Sequence, residues 1–249
     1  MIADSLNSAG DIFASLMTFI GNKISSVPKD ENHNFGHGKA EYIFSMFIGI
    51  SMILVSAKSA YDSVYSLIMK EKLNFSWLLI IVSIITIITK LILYIYTKKA
   101  YKKQKNILIY ASLKDHKNDC IITTFTLISI LLTLANIYWF DGVVGIGISI
   151  WICYTGITIF MESYNVLMDI SVDEKTKDLI LDLAKAYPEI LKIESLTSSP
   201  VGDKHMIFIT VQINGNLSTF ESHKIADSLE KNIDQLDKVY KTFVHVEPI

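Results

Sequence analysis

Four stretches of this sequence, residues 40–68, 75–97, 106–135 and 142–168, are apolar over more than twenty residues each. A helix needs about 20 residues to cross the hydrocarbon core of a bilayer. Inside that core every backbone N–H and C=O must find a partner within the chain, so runs of this length read as helices. A fifth run, residues 2–24, is weaker, but Leu6, Ile12, Phe13, Leu16, Phe19 and Ile20 share one helical face. The composition agrees with this reading. Only 19% of the chain is charged, against roughly a quarter in soluble domains.

After Asp169 the pattern changes. Charges become frequent and apolar runs shorten, which sets the boundary between a transmembrane domain, 1–169, and a soluble domain, 170–249. The tail reads as helix 174–187, strand 190–197, strand 205–213, helix 219–233 and strand 239–246. Ser218 or Thr219 caps the second helix, and Gly202–Asp203 makes the turn between the first two strands. The predicted fold is therefore an all-α transmembrane bundle followed by a small α+β domain of order αββαβ.

Lysines orient the membrane part. Lys98, Lys99, Lys102, Lys103 and Lys105 share one loop, and Lys23, Lys29 and Lys39 flank another, whereas the loops at 70–72 and 138–141 hold two lysines and none. The positive-inside bias puts the lysine-rich loops and the tail in the cytoplasm. Met1 then falls on the outer face, ahead of a weak helix carrying Asp4 and Asp11. The expectation is that an earlier transmembrane helix is missing from this sequence. The first residues lack the basic leader of a secretory signal.

The chemistry is carried by acids in unusual places. Asn7 and Asp11 are four apart on the first predicted helix, and Asp115 and Asp119 are four apart on the fourth, so each pair shares a helical face. An aspartate at the centre of a membrane helix costs about 2.5–3.5 kcal/mol to insert. Such residues need a polar cavity or a cation, and three carboxylates with one amide carbonyl make an oxygen cage for a divalent metal. A second group, Asp30, His33 and His37, lies in the loop between the first two helices, with Gly36 and Gly38 to bend the chain. Its acid and imidazoles suit a borderline metal such as zinc. In the tail, His205, His223, His245 and Glu247 form a looser set, His245 and Glu247 sharing a strand face. Lys58 and Lys90 lie in apolar spans, either as functional cations or as side chains reaching for the membrane surface. Cys120 and Cys153 read as buried thiols. A net charge of −2 and the absence of arginine exclude a nucleic-acid face and bidentate phosphate clamps. No nucleophile–base pair or phosphate-binding loop points to an enzyme.

These residues resemble a known family. The run Ala3–Asp11, the loop His33-Asn-Phe-Gly-His-Gly-Lys-Ala-Glu41 and the segment Ser112–Asp119 are similar, in order and spacing, to motifs of the cation diffusion facilitators. The resemblance implies a homodimer of six-helix protomers that exchanges cytoplasmic metal for outside protons across the plasma membrane. The five spans seen here would be the second to the sixth, followed by a metallochaperone-like cytoplasmic domain. It further implies a transport site of Asn7, Asp11, Asp115 and Asp119, and secondary metal positions at Asp30, His33, His37, His223, His245 and Glu247. Two further tail positions look replaced, by Gln212 and by an apolar residue near Leu196. Lys39 and Asp169 are similar to a charge pair that locks the protomers together. An asparagine with three aspartates resembles the manganese branch, and oxygen donors favour Mn²⁺ over Zn²⁺. His116, one residue beyond Asp115, is expected to point about 100° away. The alternatives are export of Zn²⁺ or Fe²⁺, or a truncated membrane protein that senses metal without transporting it.

Overall fold

The computed structural model describes residues 2–69, 77–132, 139–202 and 204–249, except the side chains of residues 2–9 and 11. Five long helices come first: α1 (Ile2–Ser25), α2 (Ala40–Met69), α3 (Trp77–Lys103), α4 (Ile107–Leu132) and α5 (Trp139–Leu167). Then follow α6 (Glu174–Lys185), β1 (Ile190–Val201), β2 (Lys204–Ile213), α7 (Thr219–Ile233) and β3 (Val239–Pro248). A helical bundle ahead of a small α+β unit is the predicted fold. The chain divides into two compact units, one of residues 1–28 and 40–164, the other of 29–39 and 165–249.

In the helical unit, Ala14 of α1, Ile48 and Met52 of α2, Leu108 and Ala111 of α4, and Ile152 and Ile159 of α5 form one buried cluster. The helix α3 stands outside that cluster. None of its apolar window is buried, and Leu78, Ile81, Ile85, Ile88 and Ile92 are exposed. So much bare apolar surface would be costly in water and costs nothing against lipid tails. Three helices, α2, α3 and α5, are long and apolar enough to cross a membrane. Among the described residues α4 is not one of them, although the sequence pattern puts it there. Lys114, Asp115, Lys117 and Asp119 crowd its first half. Trp77, Tyr96 and Trp139 are exposed at or near helix ends, where amphipathic rings suit a membrane interface.

The helices α2 and α5 approach backbone to backbone. A Cβ on Gly49 would lie 2.9 Å from the Gly156 carbonyl oxygen, and one on Gly156 would lie 2.9 Å from that of Gly49. Further along, Gly145 faces Ser63 and Gly142 faces Leu67. Small residues are the usual way to bring membrane helices this close, because packing rather than water drives their association. The next helix, α4, starts on a local signal: Asn106 Oδ1 accepts from the N–H of Leu108 at 2.7 Å. The Asn106 amide also donates to Glu41 on α2.

The second unit is a three-stranded sheet in the order β1-β2-β3, with β1 antiparallel and β3 parallel to the central β2. A parallel neighbour requires a crossover, which α7 supplies. Ser218 caps α7 in a reciprocal capping box with Glu221. Ile207, Ile209 and Val211 project from one face of β2 and are buried with Ile180 and Ala184 of α6 and Leu229 and Ile233 of α7. The alternate residues lie on the other face, where Phe208 and Phe243 stack at 5.5 Å, both partly exposed. The first strand, β1, runs four residues past its predicted end, to Val201. Gly202 (φ +64°) then turns the chain, and its predicted partner Asp203 lies outside the described residues. Asp169, also at positive φ (+55°), ends α5, where the Ile170 N–H reaches back to the Asn165 carbonyl.

Candidate functional site

Of the four residues expected at the membrane site, Asn7 and Asp11 lie outside the described side chains. Asp115 and Asp119 are described. They sit one turn apart on α4, Asp119 at its midpoint, and line a small cavity of about 20 Å³ with Gly10 of α1, Ser51 and Met52 of α2 and Asn118. That volume suits a single water-sized body. Hydrogen bonds hold the walls in register. The Thr18 and Ser112 hydroxyls join α1 to α4 at 2.8 Å, and Trp151 Nε1 of α5 donates to Asn118 Oδ1 at 3.1 Å.

Two features of this site were not expected. First, His116 joins it: one ring nitrogen lies with a carboxylate oxygen of Asp115 and of Asp119 inside a 4.8 Å cluster. The 100° offset between neighbouring helical positions separates Cβ atoms, but an imidazole is long enough to swing back over the turn. Second, Lys90 of α3 pairs with Asp119, its Nζ 2.5 Å from Oδ2, with only 17% and 10% of the two side chains exposed. Lys90 is therefore not reaching for the membrane surface. Lys58 is settled locally, paired with Asp62 one turn along its own helix. Cys120 and Cys153 are free thiols, half-buried rather than buried.

The loop set does converge. The ligand atoms of Asp30, His33 and His37 lie within 4.8 Å of one another. Asp30 Oδ1 accepts from the backbone N–H of His33 at 2.6 Å and of Asn32 at 3.0 Å, while His33 Nδ1 sits 3.2 Å away. His37 Nε2 is 3.6 Å from the other oxygen. The His33 N–H bond comes first among the causes that hold the Asp30 carboxyl below its ordinary range. Gly36 makes the fold of this loop possible, since its φ of +78° is one that side chains resist.

The tail set does not converge in the same way. His223 pairs with Asp227 on α7 at 3.6 Å, and His245 lies 3.9 Å from Glu247. Among the described residues, His223, His245 and Glu247 form no cluster of the tightness seen in the other two. His205 is half-buried, and burial holds its imidazole below the ordinary range. A residue absent from the sequence expectation does join Glu247. Glu194 shares a hydrogen bond with it, which raises the Glu247 carboxyl and lowers that of Glu194, and Gln212 Nε2 donates to Glu194 at 3.2 Å. The only hint in the sequence was an acid in the middle of a strand.

Lys39 and Asp169 meet within one chain at 2.9 Å, and Ser199 donates to the same carboxylate oxygen at 2.9 Å. Hydrogen bonds from Lys39 and then Ser199 hold Asp169 below the usual carboxylate range.

Comparison with known proteins gives these clusters a setting. The cation efflux transmembrane domain matches residues 1–168, and the cytoplasmic domain of cation efflux proteins matches residues 172–249. The chain is 26% identical over 247 residues to an uncharacterized transporter of Methanocaldococcus jannaschii, covering 99% of this chain and 87% of that one. It is 27% identical to the manganese efflux system protein MneS of Bacillus subtilis, covering all of this chain and 86% of that protein. It is 24% identical to the cation-efflux pump FieF of Shewanella oneidensis, covering all of this chain and 84% of the pump. The family matches together leave only residues 169–171 unclaimed, and the chain belongs to the cation diffusion facilitator family of cation efflux transporters.

Proposed function

We propose that the protein exports a divalent metal ion, Mn²⁺ by preference, from the cytoplasm in exchange for protons, as a homodimer in the plasma membrane. Residues 1–169 would form the membrane domain and 170–249 the cytoplasmic one. The observation that carries this reading is the acid cluster at the middle of α4. Asp115 and Asp119 line a cavity that Gly10 of α1 also lines, and Gly10 directly precedes Asp11. The transport site is then Asn7 and Asp11 with Asp115 and Asp119, an oxygen-rich set suited to Mn²⁺. Two manganese efflux proteins of Bacillus subtilis among the relatives support that preference.

Metal enters from the cytoplasm when the helices open inward and binds the ionised carboxylates. Protons compete for the same oxygens. When the helices open outward, protons displace the metal, and the protonated site returns. The test is Mn²⁺ flux into proteoliposomes carrying an imposed pH gradient. Flux should accelerate when the side receiving the metal is acidic and reverse its preference when the gradient is reversed. Flux indifferent to the gradient would sink the antiport.

A second reading keeps the exporter and changes the cargo. His116 adds an imidazole nitrogen to the Asp115–Asp119 cluster, and nitrogen donors favour Zn²⁺ or Fe²⁺. Competition among the three ions in the same vesicles separates the two. The homodimer is supported by the exposed Phe208–Phe243 stack on the open face of the sheet, a surface that association would cover. The loop set and the pair Glu194–Glu247, with His245 nearby, are proposed as secondary cation positions. Lys39 and Asp169, paired within one chain, are proposed to lie at the dimer surface.

A further inference from the structure

Lys90 has no role in the exchange as set out above. It lies thirteen residues from each end of α3, between Trp77 and Lys103, so about 20 Å of helix separates it from either end. A lysine stem reaches only roughly 6 Å, too little to carry the ammonium to the interface. A charge left there against lipid would cost about 2.5–3.5 kcal/mol on insertion scales. The side chain instead turns to α4 and places its ammonium 2.5 Å from Asp119 Oδ2. Asp119 is the carboxylate at the midpoint of α4, and Asp115 and His116 complete the cluster with it.

The partner that Lys90 takes is thus an oxygen that a divalent ion would need. A carboxylate has two oxygens and about four acceptor positions, and an ammonium bonded to one of them lowers the negative charge offered to an incoming metal. Lys90 and Asp119 are 29 positions apart on different helices, so the pair also depends on how α3 lies against α4.

We infer that Lys90 is the resident counter-ion of the transport site: it holds Asp119 when no cargo is bound and gives that carboxylate up when a divalent ion arrives. This inference rests on the exporter reading. Its consequence is kinetic as well as thermodynamic. A bare aspartate is costly to carry through a low-dielectric barrier; on the metal-free return, protons on the other carboxylates and the tethered ammonium on Asp119 compensate the site together. Lys90 therefore weakens metal binding and speeds the return of the empty carrier. No covalent bond of the protein is made or broken in this step; the ammonium–carboxylate hydrogen bond gives way to metal coordination at the same carboxylate.

The test uses Lys90→Met, close in size and uncharged, with Lys90→Arg as the charge-retaining control, in the full-length protein. Titration with Mn²⁺ should show Lys90→Met binding about tenfold tighter or more, and Lys90→Arg close to wild type. In proteoliposomes, net Mn²⁺ flux, which needs the metal-free return, should fall about tenfold relative to Mn²⁺–Mn²⁺ exchange, which does not. On the wild-type protein, acylation of Lys90 read by mass spectrometry should rise when Mn²⁺ saturates the site, an outcome that needs no variant to fold. Unchanged or weaker binding in Lys90→Met, parallel loss of net flux and exchange, or labelling indifferent to Mn²⁺ would each overturn the inference and leave a pair that only staples α3 to α4. Absence of both fluxes in the wild type would instead remove the exporter reading itself.

Discussion

The helical unit and the loop between α1 and α2 both gather acid and imidazole into a group of three, yet they treat the carboxylate in opposite ways. On α4, Asp119 is nearly enclosed and its charge is met by a second charge, Lys90, brought from another helix. In the loop, Asp30 is exposed, and its charge is met by backbone N–H groups of its own turn. Water and local amides suffice for the second. The first is nearly enclosed, and a full countercharge from a distant part of the chain meets it. A buried site is therefore a property of the bundle, and a surface site is a property of a dozen residues.

The largest effect should come from the enclosed cluster. Asp119→Ala should cut metal flux by at least the roughly 10–100-fold that loss of an outer partner alone can cost a metal site, as measured in vesicles. The same change leaves Lys90 without its carboxylate, so a fall in expression or melting temperature should accompany it. Next, Asp115→His should shift competition between ions from Mn²⁺ toward Zn²⁺, since it replaces an oxygen donor by nitrogen next to a histidine already in the cluster. An unchanged ratio would mean that residue 115 does not touch the cargo. In the loop the expected effect is smaller. Asp30→Asn with His37→Ala should remove one site from a Zn²⁺ titration while flux persists; loss of flux as complete as that of Asp119→Ala would erase the contrast between the two regions.

The smallest effect belongs to the tail, where an exposed carboxylate is again held by local donors. Asp173 caps α6, accepts from Lys238 at 2.6 Å and from Thr176, and the Lys238 bond leads in lowering its carboxyl from 3.8 to about 2. A carboxyl with a lowered value in the fold contributes stability above 3.8 that is lost as pH falls toward 2. Melting curves of the protein in detergent should show that loss between pH 4 and 2, and Asp173→Asn should flatten it. The exposure of both partners keeps the effect small.

Much of this was legible because it follows from short-range rules. The long helices and the αββαβ order follow from length and period, and most helix and strand ends moved by only a few residues. The pairing of Asp115 with Asp119 follows from helical spacing, and the closeness of Asp30, His33 and His37 from eight residues of chain bent at Gly36. What was not legible needed either a rotamer or a tertiary contact. The place of His116 in the cluster is a side-chain torsion, which spacing along a helix does not fix. Lys90 meets Asp119 only because α3 lies against α4, and sequence alone left it open between a functional cation and a side chain reaching for the membrane surface. Glu194 reaches Glu247 beside a register shift between Ile193 and Ser195. Such a bulge adds a residue to one strand and breaks the alternation by which strand faces are assigned.

The close approach at Gly49 and Gly156 has a bearing on energy conservation. A carrier that runs on a proton gradient is useful only if protons cannot cross by any other route, and a file of water molecules between helices would be such a route. Where the backbones of α2 and α5 meet with no room for a single methyl group, no such file fits. In the proton exchange proposed above, two residues without side chains would act as insulation, keeping the gradient from being short-circuited along that seam.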